Sequence, residues 1–184
     1  MTATDTARLV AGTWDIDPVH SDVSFTVRHM MISKVRGRFD SVAGELVTTE
    51  DVVGSSVTAS IQTASVNTNN DQRDEHVRSA DFLDVASYPT MTYTSTGVRR
   101  DGDDYVVDGE LTLHGVTRQV PLSLEVAGSG PDAWGGTRTG FSATATVSRS
   151  DFDIDISLPL DGGGVVVADK IQIQLDIQAV LRKD

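Results

Sequence analysis

The chain has 184 residues, a formal net charge of −12, 39% hydrophobic and 23% charged residues, which suits one soluble domain with a sizeable core. It contains no cysteine, which excludes disulfides, thiolate catalysis and zinc–thiolate sites. An acidic surface opposes nucleic-acid phosphates and electrostatic docking on membranes, and no apolar run approaches the ~20 residues of a spanning helix.

The first eleven residues hold one arginine and no sustained apolar stretch, unlike a secretory signal. The reading is therefore a cytoplasmic protein with a flexible tail over residues 1–12 and one β-barrel domain over 13–184. With 24 Val, 20 Thr and 8 Ile against 11 Leu, the chain favours the pleated surface that accommodates Cβ branching.

In chain order, Val23, Phe25 and Val27 alternate with Ser24, Thr26 and Arg28. Val57, Ala59 and Ile61 alternate with Thr58, Ser60 and Gln62. One stretch reads as helix, roughly Asp71 to Ser79, capped by Asn69 or Asn70 and acidic in its first turn. Met91 and Tyr93 flank Thr92, and Leu111 and Leu113 flank Thr112. Val120, Leu122, Leu124 and Val126 continue the pattern, with Pro121 demanding an edge or a bulge. Phe141, Ala143, Ala145 and Val147 follow, and then, after a turn at Asp161–Gly164, Ile171 to Leu181. Each run has the period of a strand with one buried face.

About eight to ten mostly antiparallel strands with one helical insertion predict an all-β barrel or sandwich. One apolar face per strand means that a single closed interior buries everything. Aromatics are only 5% of the chain, and the smaller Val, Ala, Thr and Ile leave room inside, which hints at a hollow.

The chemistry-bearing residues have plain structural readings. His20, His29 and His114 fit strand ends bonded to backbone or carboxylates, and His76 a solvated helix position. No metal site is expected, because zinc or iron needs three or four converging ligands. Asp17, His20 and Ser21 have the residue types of a hydrolytic triad but read as a turn entering a strand, so no catalytic residue is assigned. Asp161-Gly162-Gly163-Gly164 precedes valines rather than a helix and reads as a turn, not a phosphate cradle. For Arg149 the default is an ion pair with Asp151; the alternative is contact with a ligand's polar head at a pore mouth, for which Arg28 and His29 are similar candidates.

The ordered set Trp14-Asp15-Ile16-Asp17-Pro18-Val19-His20-Ser21, Phe25–His29, Val35–Phe39, Ser79–Asp84 with Tyr88-Pro89, Gly109–Thr117, Arg149–Phe152 and Val167–Ile171 resembles the YceI-like family. The resemblance implies an antiparallel eight-stranded lipocalin-like β-barrel whose apolar pore holds a polyisoprenoid, an isoprenoid quinone or a fatty amide. Many members are periplasmic, and this chain differs in lacking an export signal. It also differs after Phe152, where Asp153–Pro159 replaces the family's usual glycine.

The expected ligand-lining residues are Phe25, Val27, Phe39, Val57, Ile61 and Met91, then Tyr93, Leu111, Leu113, Phe141 and Ile173, with His29 and Arg149 at the mouth. The expected function is binding and sequestration or transport of a long apolar lipid, with no cofactor, no nucleic acid and no stable membrane insertion. A homodimer ranks slightly above a monomer, because exposed barrel edges are often covered that way. Two rivals stand beside this reading: an enzyme using the barrel as a reaction chamber, with His20 or His29 as acid or base, and a filled stress-response module that binds a protein.

Overall fold

The computed structural model describes residues 9–30, 32–156 and 167–183. Its strands are β1 (Gly12–Ile16), β2 (Asp22–His29), β3 (Ser33–Phe39), β4 (Val42–Thr48), β5 (Ser56–Gln62), β6 (Val66–Asn67), β7 (Thr90–Asp101), β8 (Asp104–Leu113), β9 (Val116–Gln119), β10 (Leu122–Pro131), β11 (Thr137–Ser148) and β12 (Val167–Leu181), with one helix, α1 (Asp71–Arg78). All pairings are antiparallel. The order β1-β4-β5-β7-β8-β10-β11-β12 returns to β1 through a β12–β1 pairing, closing an eight-stranded barrel.

The closure depends on β12. One edge pairs β11 from Lys170 to Val180. The other edge is shared: Ala179 to Leu181 face β1, and Val167 to Asp176 face β2. β1 and β2 thus occupy successive lengths of one wall, joined by a corner at residues 17–21. β3 pairs β2 and, at its far end, β6. Twelve strands therefore make a barrel eight strands wide.

Pro121 interrupts a strand instead of lying at the expected edge or bulge: β9 and β10 keep one register on β8, and β10 runs between β8 and β11. With no N–H to donate, it separates β9 from β10, while the adjacent Val120 N–H bonds Gly109 O. The expected turn at Asp161–Gly164 lies outside the described residues.

The N-terminal end is anchored earlier than the alternation indicates. Leu9 is buried in the core and Gly12 opens β1. Trp14 is fully buried, and its indole Nε1–H donates to Thr48 Oγ1 at 2.7 Å. Thr48 in turn donates to the Val10 carbonyl at 2.6 Å. The largest buried side chain in the core thus ties β1, β4 and the chain before β1 together.

α1 is capped by Asn70, whose Oδ1 accepts the Arg73 N–H at 2.9 Å. Arg78 fastens it by donating to the Ala64 and Val66 carbonyls. Asp74 is buried, and its carboxylate accepts from both the N–H and the hydroxyl of Thr68. The helix has little apolar surface, so these polar ties hold it against β6.

The β1–β2 corner is built on Asp17. Its carboxylate accepts from Arg138 Nη1 at 2.6 Å, from the Val19 N–H at 2.9 Å and bonds His20 Nδ1 at 2.8 Å. The Arg138 guanidinium, then His20 and Val19, hold the carboxyl well below the ordinary ~3.9 of an aspartate. Folding therefore favours the ionised form. This stabilisation is fully present above about pH 4 and is lost as pH falls through the depressed folded value. Asp17→Asn should melt at a lower temperature than wild type at pH 7, with the gap narrowing by pH 3. A gap of equal size at both pH values would mean that packing rather than charge makes the corner.

Candidate ligand-binding pore

The alternation along each strand places one residue set inside the barrel. On β12 these are Ile171, Ile173, Leu175, Ile177 and Ala179, with Gln172, Gln174, Asp176 and Gln178 exposed outside. The inward residues are not uniformly sealed: Ile171, Ile173, Leu175 and Ile177 are half-buried, as are Phe25, Val27, Val57, Ala59 and Ile61. An inward-facing apolar side chain that keeps accessible surface borders a hollow.

That hollow is a cavity of about 400 Å³ running along the barrel, within the ~300–1,000 Å³ of small-molecule sites. Leu9, Val52 and Val98 border it toward one end, and His29, Val35, Arg73, His76, Val77 and Arg149 toward the end covered by α1. Its wall is almost wholly aliphatic and aromatic. Water in such a space lacks the two to four polar partners that hold buried water in place, so an apolar guest displaces it at little cost.

Local sequence explains how large residues share the wall. Gly37 lies against the Phe25 ring, and a Cβ there would collide with it. Gly109 does the same for Tyr93, whose ring carbon would sit 2.5 Å from an added Cβ. Phe25 and Phe39 pack with ring centroids 5.6 Å apart. The Tyr93 hydroxyl donates to the Val120 carbonyl at 2.8 Å. Burial, and then Asp108, push its pKa well above the usual phenol value, so it is neutral at physiological pH.

All thirteen expected lining residues border this one cavity, from Phe25, Val27 and Phe39 to Phe141 and Ile173, with His29 and Arg149 at the α1 end. Sequence reasoning missed Leu9, which precedes any strand alternation, and Arg73 and Val77, which reach the cavity from a helix read as polar. His76 is exposed, as expected of a solvated helix position. Its Nε2 bonds Asp81 Oδ2 at 2.9 Å, its ring stands edge-on to Phe82 and it borders the mouth.

Arg149 requires a correction. Among the described residues it forms no ion pair with Asp151, which is exposed. Arg149 is instead buried, and its Nε, Nη1 and Nη2 donate to the carbonyls of Ala168, Ile154 and Val167 at 3.2, 2.7 and 3.1 Å. The turn Arg149–Phe152 aims the side chain across the start of β12, where carbonyls left by the β12–β2 register shift need donors. A guanidinium has five N–H donors, so two have no partner among the described residues.

The triad residue types do not assemble a nucleophile. Asp17 and His20 pair at 2.8 Å, but the Ser21 hydroxyl donates to the Gln178 carbonyl and accepts from its N–H. His20 lies outside the cavity. His114 Nδ1 bonds the Phe152 carbonyl at 3.0 Å, a strand-end role as expected. No group of three or more potential metal ligands occurs among the described residues, and no helix among them is long and apolar enough to cross a membrane.

These features define a closed antiparallel β-barrel with an apolar pore. The family model for the YceI-like domain matches residues 14–179, and the chain belongs to the YceI-like family. It is similar to "Protein YceI" of Escherichia coli O17:K52:H18, at 42% identity over 146 residues, covering 78% of this chain and 76% of the relative. Among solved structures, Burkholderia cenocepacia BcnA superposes with a TM-score of 0.77 at 23% identity, covering 89% of this chain and 98% of that one. A polyisoprenoid binding domain from Saccharophagus degradans superposes at 0.69 with 20% identity, covering 94% and 100%. At such identities these two likenesses speak to the fold.

Proposed function

We propose that the pore binds a single long apolar lipid, most simply a polyisoprenoid or the tail of an isoprenoid quinone, and that the protein sequesters or carries it without reacting with it. The observation that carries this reading is the hollow, apolar cavity of about 400 Å³. A filled barrel offers no comparable space, which weighs against a purely protein-binding module. The structural relative described as a polyisoprenoid binding domain supports the same ligand class.

The driving force is burial. Each methylene-sized group moved from water into an apolar site is worth ~0.8 kcal/mol, so a five-carbon isoprene unit contributes roughly 3–4 kcal/mol before the cost of ordering the chain. The wall distinguishes lipids only weakly, because one apolar group resembles another. Discrimination falls to the polar groups at the α1 end: His29 and the two remaining N–H groups of Arg149. A head-group carbonyl or anionic oxygen there receives a charge-assisted hydrogen bond.

Organic-solvent extraction of natively purified protein, followed by mass spectrometry, should yield a long-chain lipid in near-stoichiometric amount, and delipidated protein should take up an isoprenoid quinone. Protein that is empty after gentle purification and takes up neither isoprenoid alcohol nor quinone would sink the proposal. Arg149→Met should weaken uptake of a quinone several-fold while leaving uptake of a plain hydrocarbon of equal length unchanged. Equal losses for both ligands would assign Arg149 to structure alone.

A further inference from the structure

One hairpin beside the pore mouth is cationic in an acidic chain. The hairpin β2–β3 carries four cations, Arg28, Lys34, Arg36 and Arg38, and one carboxylate, Asp22, in a chain of net charge −12. Arg28 faces Lys34 and Thr26 faces Arg36 across the pair. Because directly opposed residues share a face, Arg28, Lys34 and Arg36 form one outward patch, with Arg28 also bordering the cavity at the mouth, while Phe25, Val27 and Val35 point inward. All three cations are exposed, and none has an ion-pair partner among the described residues. Lys170, also exposed, lies near the start of the adjacent β12.

The tip of the same hairpin is apolar. Ile32 is 88% exposed and Met30 43%, where a turn would ordinarily be polar. The hairpin is also continuous with the pore, since His29 and Val35 border the cavity and His29 pairs with Val167 at the start of β12. Two other apolar side chains are as prominent, Val19 at 82% and Trp134 at 74% exposed; Val19 sits on the Asp17 corner, and over the Trp134 ring lies Arg138, already paired with Asp17 and Asp132. No unpaired cation accompanies Trp134.

We infer that the β2–β3 hairpin docks the pore mouth onto an anionic lipid surface, with Met30 and Ile32 entering the headgroup region and Arg28, Lys34 and Arg36 meeting lipid phosphates. Apolar side chains ringed by Lys and Arg are the chemistry of an interfacial anchor. The net charge of the chain does not prevent it. Screening confines each charge to roughly 10 Å at 0.1 M salt, so the membrane meets chiefly the hairpin patch, while the exposed carboxylates at the same end, Asp71, Glu75 and Asp81, lie on α1 and the turn after it rather than on the hairpin. Docking holds the mouth against the bilayer, and a lipid then passes between membrane and pore without crossing water. The purpose of docking rests on the lipid-binding reading; the docking itself is measured without reference to it.

The test is flotation with vesicles of phosphatidylcholine containing 30% phosphatidylglycerol, against vesicles of phosphatidylcholine alone. Wild-type protein should float with the anionic vesicles at 0.1 M salt, and at least ten-fold less with neutral vesicles or at 0.5 M salt. At about five-fold per cation near an anionic surface, Lys34→Gln/Arg36→Gln should lose about ten-fold or more. Ile32→Ser should lose several-fold. Arg99→Gln/Arg100→Gln, which removes two cations from the β7–β8 hairpin at the other end of the barrel, should bind as wild type. Wild-type protein that stays unbound on anionic vesicles at 0.1 M salt, or a Lys34/Arg36 variant that binds as well as wild type, overturns docking. Solvent-extractable lipid in the purified Lys34/Arg36 variant reports separately on the pore: unchanged lipid with lost flotation supports docking as a distinct function of the hairpin.

Discussion

Trp14→Ala should lower the unfolding free energy by about 3–5 kcal/mol, the cost of removing a large aromatic from a packed core. Three effects act together there. The ring is fully buried among core residues that include Leu9, Ile16 and Leu46. Its loss leaves a cavity that a closed barrel cannot easily collapse. It also deprives Thr48 Oγ1, itself buried, of the indole donor, an added desolvation cost of about 1–3 kcal/mol where no water replaces it. Since domains are typically stable by only ~5–15 kcal/mol, the variant should unfold well below the wild-type temperature. Trp14→Phe keeps most of the volume and loses the hydrogen bond, so it should fall between the two. Chemical denaturation of the three proteins measures this, and a Trp14→Ala midpoint within error of wild type would mean that the β1–β12 closure contributes little to stability.

The second large effect is on binding. Val57 borders the cavity and is half-buried, so a side chain placed there enters the space assigned to the ligand. Val57→Asp should reduce lipid uptake by at least ten-fold, because a carboxylate in an apolar channel holds water that the lipid must displace. Val57→Trp reaches the same end by volume, filling the channel without adding charge. Using both separates the causes of failure. Thermal melting shows whether each variant folds, and a folded Val57→Trp protein with undiminished uptake would place the ligand elsewhere. The adjoining outward residue Thr58 is exposed, and Thr58→Asp should leave uptake unchanged.

These two experiments address parts of the molecule that differ in how visible they are in the sequence. The identity of the wall was readable residue by residue. Val57 with Ala59, Phe25 with Val27, and Leu111 with Leu113 each stand two positions apart, and in a pleated strand that spacing alone puts both on one face. The helix was equally local: Asn70 before Asp71 and Asp74 states a cap and a charged first turn, and Asn70 does cap Asp71–Arg78. Pro121 announced a break in pairing for the same reason, since a missing N–H is a property of the residue itself.

Other features depend on partners distant in the chain. Leu9 has no alternating neighbours, and only the return of β12 beside β1 gives it a core to enter. Arg149 next to Asp151 suggests an ion pair by proximity, yet the guanidinium turns toward the carbonyls of Ile154, Val167 and Ala168. That choice follows from where β12 starts, 18 residues later. His76 and Val77 reach the pore because Arg78 pins their helix to carbonyls of residues 64 and 66.

The residues by themselves established an all-β chain, its inward and outward faces, its single helix and its apolar interior, because side-chain period and capping act over two to four residues. Assembly determined that twelve strands close as eight, that the interior stays open at about 400 Å³, and that cations on β2 and β3 gather on one face beside the mouth. Barrel width follows from how strands tilt and shear against one another, and a charged patch from which strands become neighbours. Both are relations between segments far apart in the chain, which no short stretch of sequence contains.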